Sequence, residues 1–195
     1  MYLISDIIAD ELKNQGIKDI FMLTGYGSMY LNDSIQKKGI KYYAARNEAA
    51  APMMAEAYAK LKNKVGAVCV TAGPGATNAL PGLAEAFVDS APIIIISGQV
   101  DKKFSADNYK NLNIRTLGTA EFSVTRVLKG ITKYCKTINN EKNALYEVQK
   151  AIYIAKTGRP GPVWLEIPLD IQSKKINDKT KLKKFKIQKK EKKIN

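Results

Sequence analysis

The run Arg46-Asn47-Glu48 stands directly before Ala49-Ala50-Ala51-Pro52, so one carboxylate with one neighbouring cation opens a stretch of small apolar residues. Two chemistries suit an acid in that setting. A glutamate in the first turn of a helix interacts favourably with the helix dipole, an effect of about 0.3–1 kcal/mol that requires no apolar neighbours. A glutamate enclosed by alanines has its anion disfavoured and its pKa raised, which suits acid–base work in a dry pocket. The alanine run favours the second reading. Three further stretches carry glycine or polar groups: Gly25-Tyr26-Gly27-Ser28, Thr71-Ala72-Gly73-Pro74-Gly75 and Ser97-Gly98-Gln99. Taken alone, "AGPGATN" also describes a tight turn that caps a helix.

Other chemistries are excluded or disfavoured by composition. The chain has no histidine, which removes His-based metal sites, Ser-His triads and Cys-His pairs. Cys69 and Cys135 are far apart and belong to no CxxC or Cys/His pattern, so both read as buried thiols in a reducing compartment. No G-x-G-x-x-G follows a strand and no G-x-x-x-x-G-K-[ST] occurs, so nucleotide folds are not favoured.

The elements that must position these residues alternate between strand and helix, which predicts an α/β domain with a parallel sheet of five to six strands and helices on both faces. Residues 3–15 are expected to be helical, with Ile4, Ile7, Ile8 and Leu12 on one face and Gly16 as the stop. "DIFMLTG" is a first strand ending at the Gly25–Ser28 turn, with a short helix near 30–38. "IKYYAAR" is a second strand that feeds the helix of Glu48, where Pro52 must fall in the first turn. "VGAVCVTAG" and "APIIIISGQ" are a third and a fourth strand, the third buried on both sides and the fourth stopping at Gly98. Residues 101–115 read as irregular surface, 121–128 and 142–155 as helical, and 163–167 as a final strand. The four strand ends therefore share one rim, where ligands of open α/β sheets gather.

A chain of 195 residues with 45% hydrophobic content builds one core and one domain, expected over residues 1–172. The net charge of +14 is concentrated beyond it: residues 174–195 hold eleven lysines against Asp178 and Glu191, nine of the fourteen charges. Residues 173–195 are expected to be a lysine-rich linker or disordered tail. That tail has Phe185 as its one aromatic residue, so nucleic-acid binding is not expected. No run of eighteen apolar residues occurs and the N-terminus is unlike a signal peptide, so the expectation is a cytoplasmic protein without a membrane partner.

The succession "FMLTGYGS", "RNEAAAPMMAEAYA", "TAGPGATN", "DSAPIIIISGQV" and "TGRPGPVWLEIPLD" resembles the N-terminal, pyrimidine-binding domain of thiamine diphosphate enzymes, in particular their acetolactate synthase branch. The resemblance covers about residues 1–172. It implies that Glu48 hydrogen-bonds a ring nitrogen of the cofactor's aminopyrimidine, favouring the imino form that removes the thiazolium proton and so prepares attack on a 2-oxo acid. It places Thr71, Gly73 and the backbone around Gly75 beside the pyrimidine, and Gly25, Tyr26 and Gly27 facing the cofactor's reactive end. Asn78 is expected to cap a helix rather than to line a subunit contact.

The resemblance also implies a partner. In that family the diphosphate and its Mg2+ are held by a separate domain with a GDG motif, and no GDG occurs in this sequence. Thiamine diphosphate would then be shared with a diphosphate-binding domain or a full-length relative, in a homo- or heterodimer. Three positions depart from the pattern: Asn47 and Ala49 stand where relatives have the His and Gln of an RHEQ run, and Ala120 precedes Glu121 where they have Gln-Glu. The alternative these departures support is a non-catalytic interaction module that dimerises with a full-length relative.

Overall fold

The structure of the protein, a computed structural model, describes residues 1–187. In chain order the elements are β1 (Tyr2–Leu3), α1 (Ile4–Asn14), β2 (Asp19–Met22), α2 (Met29–Lys37), β3 (Lys41–Ala44), α3 (Ala50–Lys62), β4 (Gly66–Val70), α4 (Pro74–Thr77), α5 (Leu80–Val88), β5 (Ile93–Gln99), β6 (Tyr134–Thr137), α6 (Ala144–Lys156), β7 (Val163–Pro168), α7 (Leu169–Gln172) and β8 (Lys175–Ile176). Six strands form one parallel sheet in the order β3-β2-β4-β5-β7-β6. The sheet grows from β2 outward to β3 and then, in the opposite direction, from β4 to β5. The crossover direction therefore reverses between β2 and β4, and a crevice opens beyond their carboxyl ends.

The period of the apolar residues explains the layers. Along β5, Ile94 and Ile96 face a cluster with α1, α2 and α6, while Ile93 and Ile95 face a second cluster with α3, α5 and Trp164. A central strand buried on both faces must be apolar throughout, and all seven residues of β5 are buried. Ile4, Ile7, Ile8 and Leu12 of α1 are all buried, as their spacing predicts. Pro52 lies at the third position of α3, where no intrahelical hydrogen bond is lost. Among the described residues no helix is long and apolar enough to cross a membrane.

Several expectations need correction. Cys69 is buried as expected, but Cys135 is only half-buried, on the edge strand β6. Residues 121–128 are not an α-helix: only a 3-10 turn at Val124–Arg126 forms, because the Glu166 carboxylate takes the Val124 amide and the Ser123 hydroxyl. β5 runs one residue beyond Gly98, to Gln99. β6, which the sequence does not single out as a strand, is a short edge strand, "YCKT", paired with β7 alone and without an apolar alternation. Residues 173–187 are docked, whereas a linker or tail was expected: β8 pairs with β1, Leu182 enters the cluster that contains Ile7 and Leu145, and Phe185 packs on Tyr146 and Tyr153. Two apolar residues three apart suffice for this because α1 and α6 supply the rest of the surface. Residues 188–195 of the expected tail lie outside the described residues.

Candidate active site

β2 and β4 end side by side, and both chain turns beyond them are built from residues that keep backbone close to backbone. The Gly27 amide donates to Thr71 Oγ1 at 3.0 Å, tying the first turn to the second. A Cβ at Gly25 would stand 2.5 Å from that of Thr71, and one at Gly75 would stand 2.5 Å from Thr71 Cγ2 and 2.9 Å from Glu48 Oε1. Side chains at these positions would fill the space in front of Thr71. Their absence leaves a cavity of about 730 Å3.

Glu48, Thr71, Gly75, Gly25, Tyr26 and Gly27 all line this cavity. Gly73 does not line it. It stands behind the wall, with φ +56° and ψ −124°, and a Cβ there would lie 1.8 Å from the Ala120 carbonyl oxygen. The opposite wall is apolar and comes from Val100 and Phe104, just after β5, and from Leu117 and Ala120. Of these, only Ala120 stands out in the sequence, as a departure from the family pattern; no motif announces Phe104. Phe104 falls in the stretch 101–115 that reads as irregular surface, and the fold brings it across from Glu48.

Glu48 is half-buried rather than enclosed. Its Oε2 accepts from Asn78 Nδ2 at 2.7 Å, leaving Oε1 on the Gly75 side. Asn78 therefore holds the acid. Its side chain does not N-cap α5, whose preceding residue is Ala79; Asn78 closes α4 instead, through its backbone amide. Asn47 lies in the turn that leads into α3, where its Oδ1 accepts from the Ala50 amide at 2.9 Å. The most deeply buried carboxylate lies elsewhere. Glu166, 1% exposed, accepts from Ser123, Thr137, Val124 and Gln99; burial pushes its pKa up, and those four donors pull against the shift. Burial likewise pushes the Cys69 thiol up to about 12.

A parallel α/β sheet with a glycine-floored crevice at its switch point, a carboxylate on one side and apolar residues on the other is a small-molecule or cofactor site. The family model for the thiamine pyrophosphate enzyme N-terminal TPP binding domain matches residues 4–117, and the chain belongs to that family. Among curated proteins it is similar to the acetolactate synthase large subunit of Lactococcus lactis, at 37% identity over 175 residues, 89% of this chain and 29% of the relative. It is also similar to the acetolactate synthase large subunit of Haemophilus influenzae, at 34% identity over 85% of this chain and 28% of the relative. With acetolactate synthase 2, chloroplastic, of Nicotiana tabacum the identity is 32% over 88% of this chain and 25% of that protein. The chain thus spans between a quarter and three tenths of the length of these relatives.

Proposed function

We propose that this chain is the pyrimidine-binding half of a thiamine diphosphate-dependent, acetolactate synthase-like carboligase or decarboxylase that acts on 2-oxo acids. The observation that carries the reading is the Glu48 carboxylate, held by Asn78 at the edge of a cavity whose floor is glycine backbone. The residues present fit the cofactor's pyrimidine: a flat ring needs the space that a Cβ at Gly25 or Gly75 would fill, beside a carboxyl and an apolar wall.

In this reading Thr71 and the backbone at Gly75 pack beside the ring, and Gly25, Tyr26 and Gly27 face the end at which a substrate arrives. Gly73 acts from behind, by allowing the Ala120 carbonyl to approach. Glu48 Oε1 exchanges a proton with a ring nitrogen while Asn78 fixes Oε2. Bound there, thiamine diphosphate supplies the electron sink for breaking and making carbon–carbon bonds next to a 2-oxo group. The diphosphate and Mg2+ belong to a separate domain, which also covers the open side of the cavity. The rim supports such a cover, since Tyr26, Phe104 and Leu117 are 63%, 47% and 48% exposed.

The test is 2-oxo acid turnover by the chain assembled with its diphosphate-binding domain, with thiamine diphosphate and Mg2+ present. Glu48→Gln keeps the side chain's shape and removes its acid–base capacity, so turnover should fall by about 10²–10⁴-fold with little change in unfolding midpoint. Equal turnover by the variant overturns the assignment. Association without any turnover by the native chain would favour a non-catalytic module.

A further inference from the structure

The outer wall of the cavity hangs from a loop with almost no packing of its own. Residues 107–117 are all exposed, and no residue between Val100 and Val124 is buried. A segment so poor in buried apolar contacts opens easily unless polar groups hold it. In this loop one side chain bonds both ends. Glu121 Oε1 accepts from the Ala106 amide at 2.8 Å and from Ser105 Oγ at 3.0 Å, while Oε2 accepts from the Leu117 amide at 2.8 Å. Two points of the chain eleven residues apart thus end on the two oxygens of one carboxylate.

The post itself is fixed. Gln99 Nε2 donates to the Phe122 carbonyl at 3.0 Å, and Glu166 accepts from Ser123 Oγ at 2.8 Å and from the Val124 amide at 3.1 Å. The three residues after Glu121 are therefore bonded to β5 and β7. The far end of the loop, which leads into the cavity wall at Leu117, Gly118, Thr119 and Ala120, depends on Glu121. The near end has three further ties, the Arg126–Asp107 ion pair and the bonds from Asn108 Nδ2 to the Lys102 carbonyl and from the Tyr109 hydroxyl to the Lys103 carbonyl.

We propose that Glu121 is a positioning residue whose carboxylate clasps both ends of the 105–117 loop and so sets the apolar wall opposite Glu48. The proposal rests on the reading of this cavity as the cofactor and substrate site. An ionised carboxylate accepts on both oxygens, whereas a glutamine at the same place turns an NH2 toward one of the two backbone amides. Glu121→Gln must therefore release one end of the loop. Ser105→Ala removes one bond of three and leaves both amides satisfied.

The experiment compares hydrogen exchange in the full chain with kinetics in the assembled enzyme. In E121Q, amides within 105–118 should exchange about tenfold faster or more, S105A should show a smaller increase, and the β4 and β5 amides should not change. In the assembly, E121Q should raise the KM for the 2-oxo acid or the thiamine diphosphate needed for half activity about three- to tenfold, with kcat held within about threefold. Unchanged exchange at 105–118 overturns the proposal, and so does faster exchange spread over the whole sheet. A loss of kcat at unchanged KM overturns it as well. A native assembly that binds and turns over nothing defeats the proposed function, and the exchange pattern then decides the clasp alone.

Discussion

Replacing Gly73 by alanine tests the geometry of the cavity wall without any assumption about its ligand. Two costs add. At φ +56° and ψ −124° a residue with a Cβ sits in a region that glycine alone occupies readily, a strain of about 1–3 kcal/mol. The new methyl would also stand 1.8 Å from the Ala120 carbonyl oxygen, where ordinary contact begins near 3.4 Å, so one of them must retreat by roughly 1.6 Å. Ala120 cannot yield freely, because it is itself at φ +56° and is followed directly by the bonded Glu121–Val124 run. Overpacking of this kind costs about 1–3 kcal/mol. The sum is about 2–6 kcal/mol, which for a chain of this size lowers the unfolding midpoint by at least about 4 °C.

Gly130 provides the matched control. Its φ is +103° and nothing lies within 4 Å of a Cβ there, so Gly130→Ala carries the backbone strain without the collision. Urea unfolding of both variants with equal m values should find G73A less stable than G130A by about 1–3 kcal/mol. A difference below about 0.5 kcal/mol would refute the close approach of Gly73 to Ala120, and with it the placement of the wall.

Two further outcomes follow from buried groups. Removing the Glu166 carboxylate by Glu166→Ala leaves the Val124 amide and the Ser123 and Thr137 hydroxyls without their acceptor and should cost about 2–4 kcal/mol in urea unfolding; a neutral effect would contradict the bonding at β6 and β7. Because burial raises its folded pKa above 4.5, Glu166 adds stability below pH 4.5 that is lost as pH rises through the raised value, so Glu166→Gln should gain on the native chain across that window. Leu182→Ala should cost about 2 kcal/mol or more, since the side chain is 5% exposed within the α1–α6 cluster; a change under about 0.5 kcal/mol would return residues 173–187 to the status of a tail.

How much of this was legible depends on the range over which each signal acts. The α1 face and the unbroken isoleucines of β5 are local periodicities, and each maps onto the cluster it packs against. The strand ends were legible too, because glycine-rich turns mark where strands stop. What stayed hidden is long-range. β6 is held in the sheet by β7 and has no pattern of its own. Leu182 and Phe185 look solvated among lysines until α1 and α6 offer them a groove. Asn78 resembles a cap in sequence, yet its amide reaches back to Glu48 thirty positions earlier. Glu121 stood beside a departure from the family pattern, but only the folded loop brings Ala106 and Leu117 to its carboxylate.

The alanine run after Glu48 carries a different message from the one its composition suggests. Ala51, Ala55 and Ala59 recur every fourth residue, and all three are buried, so a stripe of methyl groups runs along α3 between the larger Pro52 and Glu56 on one side and Met54 and Tyr58 on the other. That stripe lies on the sheet at backbone contact: a Cβ at Gly66 of β4 would stand 2.2 Å from the Ala55 carbonyl oxygen. Small residues there let the helix descend onto the strand, and the descent brings the start of α3, with Glu48, level with Thr71 and Gly75. The alanines thus set the height of the carboxylate, not its dielectric surroundings, which explains why Glu48 is half-buried. If the acid works in a dry site, the water must be displaced by what covers the cavity, above all from the rim of Tyr26, Phe104 and Leu117. The fold of this chain fixes where the acid stands, through the contact of α3 with β4 and the bond from Asn78.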